Sequence, residues 1–283
     1  MPVPIGLIVE ALEPRALLAT IAWDGGPAGT GTDWHGAANW VGDVLPGPSD
    51  DVVIDIGANH TIVMNATGTT SINSLVLREN LNLTTGTLAV AAVATVTAVT
   101  LNLQGGGLLG GQWNVAAGTL AANSNANNKL DGVSLTGTLS IGSTNGVITV
   151  QNGLTLNGTI SMRGSARLTL AGTQSITTTS TGTIFSDPAV LGTRTITFTG
   201  DMAEVTLQAG VTLRGSQAII TGSVTNNQTL RNLGLISVDS SGSFTVQQLR
   251  IVNNTTIKAK NAGQFNINSG GLSGNARATS VLS

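Results

Sequence analysis

The chain has 283 residues, among them 40 Thr, 37 Gly, 24 Asn and 22 Ser, with 9% charged and 3% aromatic residues and a formal net charge of −2. With 41% hydrophobic residues and a mean hydropathy of +0.26, it is neither a helical bundle, which needs Ala, Glu, Lys and Leu at helical spacing, nor a disordered chain of low hydropathy and high charge. The absence of Cys excludes disulfides, thiolate metal sites and cysteine nucleophiles, and the balanced charge with few aromatics excludes a strongly basic nucleic-acid binder or a stacking platform for single strands.

Taken in chain order, residues 1–20 form a first segment. It lacks the positive n-region of a secretory signal, and Glu10, Glu13 and Arg15 interrupt its apolar stretch. Export is therefore expected to use another signal, or further chain to precede residue 1. Helix is expected only within residues 5–19, where the best formers lie. Residues 1–55 hold eight of the fourteen acids and one base, and the rest of the chain holds six acids and eleven bases. Six of the seven Pro and three of the four Trp (Trp23, Trp34, Trp40) also lie before residue 50. Residues 21–60 are read as an N-terminal cap, because three large indole rings can cover the open end of a stack that small side chains could not.

From residue 61 to 283 the chain becomes short Val/Ile/Leu/Thr runs separated by Gly and Asn. The tripeptide Gly-Thr-Leu/Ile occurs at 86, 118, 137, 158 and 182, and Gly-x-Ser/Thr-Leu-x-Gly occurs at 132, 153 and 210. The first marker has spacings of 32, 19, 21 and 24, both markers agree on 21 residues between the blocks at 132 and 153, and an imperfect period near 20 is that of a stacked β-coil. Alternation such as Leu154-Thr-Leu156, Leu168-Thr-Leu170 and Val205-Thr-Leu207 places one face in a core and the other in solvent. Gly and Asn supply positive φ at corners, and Asn can stack on Asn in the next coil. A β-sandwich would also suit short strands, but hairpin turn signals are missing between most runs. The most apolar run, Leu88–Val99, is too short and too Thr-interrupted for a membrane span and is read as a pair of buried strands. The expected fold is all-β, a right-handed parallel β-helix (β-solenoid) with the Trp-rich cap at its N-terminus, its coils continuing in a longer native chain.

Residues 12–18, Leu-Glu-Pro-Arg-Ala-Leu-Leu, resemble at all seven positions the LEPR-XLL motif found near the N-termini of large, repetitive proteins of planctomycete-type bacteria. The basic stretch that usually precedes the motif is absent. Trp23-Asp-Gly-Gly, Asp33-Trp34, Ala38-Asn39-Trp40, Leu45-Pro46-Gly47 and Asp50–Ile54 look like the opening module of bacterial β-solenoid surface proteins of adhesin-like and autotransporter-like type. The resemblance implies an exported protein, extracellular or at the cell surface.

Chemistry-bearing residues are few. Asp24, Asp33, Asp43, Asp50, Asp51 and Asp55 could bind calcium through carboxylates in loops, yet no EF-hand or calcium β-roll nonapeptide is present and the same residues suit turns. His35 and His60 have no Gly-x-Ser-x-Gly elbow to serve. Asp187, Arg194, Asp201, Glu204 and Arg214 are candidates for a polysaccharide lyase or hydrolase, with Phe185 and Phe198 the aromatics within reach. Arg194, Arg214, Arg231 and Arg250, spaced 20, 17 and 19 apart, could fall on one side of a solenoid and form a stripe for anionic glycans; the reading preferred to this is that of scattered charges that keep a low-charge surface soluble and deter edge pairing. The expectation is a structural or adhesive solenoid with a polysaccharide partner and no cofactor; the alternative is a carbohydrate-active enzyme.

Overall fold

The computed structural model describes residues 19–57, 60–142, 145–223, 225, 227–268, 270–273 and, for the backbone alone, 277–280. The seven-residue motif at 12–18 and nearly all of the expected helical segment 5–19 lie outside the described residues. The described residues form 27 strands and a single 3-10 turn at Ala37–Asn39. Every pairing between these strands is parallel. Consecutive coils stack into a solenoid of about ten turns with three faces. The short 3-10 turn lies in the cap rather than in residues 5–19.

Face A starts with Thr20–Ala22, Asp51–Ile54 and Ser74–Leu77. Face B starts with Thr61–Met64 and Asn80–Leu83, and face C with Thr69–Ile72 and Thr87–Val90. In the middle coils the strands lengthen: Val93–Leu103 and Gln112–Ala122 each run from face A onto face B, and Lys129–Ile141 and Val147–Met162 each run through faces C, A and B, with pairing to the neighbouring coils carried past the corners. At two of these corners Ala98 (φ 60°) and Asn152 (φ 57°) take left-handed backbone, a conformation that Asn accepts more readily than most residues.

The period-2 alternation does what it must in a parallel stack, since inward residues of successive coils fall in line. On face B the inward column reads Ile62, Leu81, Leu101, Leu120, Leu139, Ile160, Ile184, Leu213, Ile236 and Ile257. Nine of the ten are at most 2% exposed and Ile257 is 6% exposed. Burial of each such side chain contributes about 1.5–3 kcal/mol, so stability comes from many equal increments between neighbouring coils. Leu88–Val99 forms two strands, as read from sequence, but they alternate: Leu88, Val90, Ala94 and Val96 point inward while Ala91, Ala92 and Val93 are exposed.

Amide ladders supplement the apolar columns. Asn102 Nδ2 donates to Asn82 Oδ1 at 2.9 Å, and Asn232 Nδ2 to Asn253 Oδ1 at 2.6 Å, the latter pair wholly buried.

The N-terminal end is closed by Trp23, Trp34 and Trp40, which are 2%, 1% and 0% exposed and belong to the same core. Their rings meet edge to face at 4.8 and 5.0 Å. The solenoid nevertheless begins earlier than residue 61. Thr20–Ala22 and Asp51–Ile54 are already rungs of face A, and Asp33 bridges Val63 at the head of face B.

Candidate functional site

The four arginines that could have formed one stripe are distributed over all three faces. Arg194 stands on face C, in register with Ala218; Arg214 is on face B, in register with Phe185 and Ser237; Arg231 and Arg250 are on face A. The physical reason is that coil length varies. Register partners on face A are 31 residues apart where Ile176 meets Leu207 but only 21 apart where Asn232 meets Asn253, so near-equal sequence spacing drifts from one face to another. The single stripe is therefore corrected to one pair, Arg231 and Arg250, whose positions are offset by two residues across adjacent rungs.

Arg194 is no surface residue at all. It is 0% exposed, and its guanidinium donates to the carbonyls of Asp187, Val190 and Gly192 and to Ser186 Oγ. Burial pushes its pKa below the ordinary value even though Asp187 opposes this. The side chain ties down the long connection between Gly182–Ser186 and Arg194–Thr199.

The other members of the proposed catalytic set are dispersed or engaged. Asp187 pairs with Arg163 at 3.0 Å. Arg214 pairs with Asp239 at 2.7 Å and lies 5.1 Å above the Phe185 ring. At Asp239 burial acts to raise the pKa, but hydrogen bonds from Ser237 and Arg214 outweigh it and hold the carboxyl below the usual range. Glu204 receives Nε and Nη2 of Arg231 at 2.7 and 2.9 Å, and this fork, with the nearby charge of Arg250, holds its carboxyl low. Asp201 sits in a turn before Glu204. Phe198 is buried in the core on face C. Asp187 and Glu204 are thus each engaged by an arginine, whereas glycoside hydrolysis needs an acid and a base that flank the scissile bond.

In the cap, the acids serve turns and rungs. Asp24 Oδ1 accepts Gly26 N–H, Asp33 Oδ1 accepts His35 N–H and Asp50 Oδ2 accepts Gly47 N–H. Asp55 pairs with Arg78 at 2.7 Å, and Asp43 takes a φ of 55°. Hydrogen bonds from Ser74 and Asn73 hold the Asp51 carboxyl below the usual range. Among the described residues no group of three or more His, Asp or Glu is placed to hold a metal ion. His35 Nε2 lies 3.0 Å from Thr70 Oγ1, and the backbone N–H of His60 donates to Glu79.

A surface cleft of about 730 Å³ opens beside the Arg231–Arg250 pair, lined by Met202, Gln228, Thr229, Arg250, Leu272 and Ser273 among others. Its one charged group is Arg250, whose guanidinium reaches Ser273 Oγ at 3.4 Å. The Gln228 amide is committed to Gly200 O and Ser223 N–H. With no carboxylate or imidazole in its lining, the cleft can hold a ligand but offers no proton-transfer pair.

The feature that sequence reading missed is on face B. Thr100, Thr119, Thr138, Thr159, Thr183 and Thr212 fall on successive rungs with their side chains outward. The signal was present in the Gly-Thr-Leu/Ile repeat, which was read for its period; its outward Thr carries the face. The first copy, at Gly86, belongs to face C instead, because the tripeptide marks entry to a strand and not a particular face. Compared with family models, curated proteins and solved structures, the chain matches none.

Proposed function

We propose that the chain is a structural, adhesive β-solenoid of an exported surface protein, a stiff rod whose faces meet other surfaces. The observation that supports this most is the continuity of the core column along about ten coils, and beside it Asp55, Asp187, Glu204 and Asp239 are each paired with an arginine. Such a molecule works through length, stiffness and repeated weak contacts. The Arg231–Arg250 side of face A and its adjoining cleft are the natural contact for a polysaccharide, since these two arginines stand on adjacent rungs of one face and Arg250 lines the cleft.

The test is to incubate the protein with a panel of neutral and acidic polysaccharides and to read retention and cleavage on the same samples. The expected outcome is salt-sensitive retention on acidic polymers with no new reducing or unsaturated ends. Turnover of any polymer would overturn the reading in favour of a carbohydrate-active enzyme, and absence of retention on all of them would remove the adhesive part.

A further inference from the structure

We infer that face B is an ice-binding surface, with crystalline water as its ligand. Three observations carry this. The first is the ladder itself. Thr100 is in register with Thr119, Thr138 with Thr159, Thr159 with Thr183 and Thr183 with Thr212, and Leu120 with Leu139 sets Thr119 beside Thr138. Parallel strands stand about 4.8 Å apart, close to the repeat of oxygen positions in the ice lattice.

The second is that these hydroxyls are unspent. Among the described residues none of the six Thr hydroxyls on this ladder makes a hydrogen bond within the protein, whereas on face A Thr155 and Thr177 bond each other at 3.0 Å and Thr178 and Thr179 bond Asn157. Each ladder hydroxyl is left with a donor and two acceptor lone pairs for water. A β-branched side chain is stiff about χ1, which restricts the orientations that each hydroxyl and methyl can take.

The third is the surroundings. The neighbouring outward column reads Asn82, Asn102, Ala121, Ser140 and Ser161 before Phe185 and then Arg214. Its first five members are uncharged and lack rings, and the last four of them flank the ladder from Thr100 to Thr159. A charge-free surface has nothing for an anionic glycan, and one without aromatic rings has no platform for a sugar face. Repeated hydroxyl and methyl groups on a rigid lattice suit a ligand that is itself a lattice of hydrogen-bonding sites. Each contact is weak, but the array is already ordered, so the contacts add without further loss of conformational freedom. The corresponding outward Thr column on face C, Thr149, Thr169, Thr197 and Thr221, is bordered by Lys129, Asp131 and Arg167 and lacks that neutral setting.

The experiment grows ice slowly from a dilute solution of the full chain and measures the fraction of protein in the ice, together with crystal shape and recrystallisation in an annealed film. Wild type is compared with Thr138→Tyr/Thr159→Tyr on face B and Thr169→Tyr/Thr197→Tyr on face C. Tyr is a good strand residue, so both variants are expected to fold, and circular dichroism checks that they do. The expected result is that wild type and the face C variant enter the ice and shape it, while the face B variant falls to the level of a non-binding globular protein. Wild type at that background level, or equal loss in both variants, would overturn the proposal. So would a wild-type dimer in sedimentation that the face B substitutions dissociate, since the face would then be an interface between copies.

Discussion

Trp40 donates its indole N–H to the main-chain carbonyl of Trp34 at 2.7 Å, while its ring sits edge-on to that of Trp34 at 5.0 Å. Both side chains are buried, and the bond fixes the loop between them over the end of the apolar columns. Trp40→Ala is expected to cost about 3–5 kcal/mol, because a large ring leaves a cavity at the edge of the core. Trp40→Phe keeps much of the apolar area and loses the N–H, so it should cost less. Denaturant melts of the two variants check the order, and sedimentation of Trp40→Ala should show end-to-end association as the rung edge opens. Equal stability for all three proteins would show that the rings do not close the end.

The buried guanidinium of Arg194 supports a second expectation. Arg194→Met leaves three carbonyls and the Ser186 hydroxyl without their donor, and each orphaned buried group costs about 1–3 kcal/mol. Arg194→Lys should rescue little, since one ammonium cannot replace the planar fork. Arg214→Gln, by contrast, removes a half-exposed guanidinium whose partner Asp239 keeps Ser237 and Lys260, and should change stability by about 1 kcal/mol. Similar melting for the 194 and 214 variants would contradict the placement of these residues.

The close approach of coils makes several glycines hard to replace, and Gly215 is one of them. Gly215 has a φ of +116°, and a Cβ there would stand 2.0 Å from the carbonyl oxygen of Ser186 on the adjacent coil. Gly215→Ala is expected to lower the melting temperature well beyond an ordinary surface substitution, by a free energy on the order of 2 kcal/mol or more. Gly42→Ala has a positive φ but open space around it, so it should cost less and serves as the comparison.

Acid should weaken the fold in a defined window. Asp51, Glu204 and Asp239 are all held below the usual carboxylate range. A group depressed in the folded state stabilises above its unfolded value, near 4, and that stability is lost as pH falls through the folded value. Thermal stability should therefore be nearly flat from neutral pH to about 5 and decline below about 4. Glu204→Gln should reduce the acid slope without moving the neutral plateau far. An unchanged slope in that variant would remove Glu204 from the account.

Much of this architecture was legible in the residues. Alternation such as Leu154-Thr-Leu156 specifies strands with one buried face, and Gly with Asn at intervals near 20 specifies corners, so the solenoid follows from local patterns that the parallel register then repeats. The face on which a residue lies was not legible, because it depends on the summed length of every preceding corner. That is why Arg194 and Arg214, 20 residues apart in sequence, stand on different faces while Thr138 and Thr159, 21 apart, share one. Nor could the pattern show that Arg194 points inward, since a buried cation is the exception to the rule that charges stay in water and depends on carbonyls gathered by a loop.

The account rests on coils that are interchangeable rungs of one column, and the most direct measurement removes one of them. Deleting residues 120–138 joins Thr119 to Leu139, which occupies the place of Leu120 on face B. The product should melt cooperatively, keep its strand signal and scatter X-rays as a rod shorter by about 4.8 Å. Deleting only 120–129 removes about half a coil and should destroy the fold, because every later strand would then meet the wrong face. Two deletions that behave alike, both folded or both unfolded, would contradict a core built from stacked and equivalent coils.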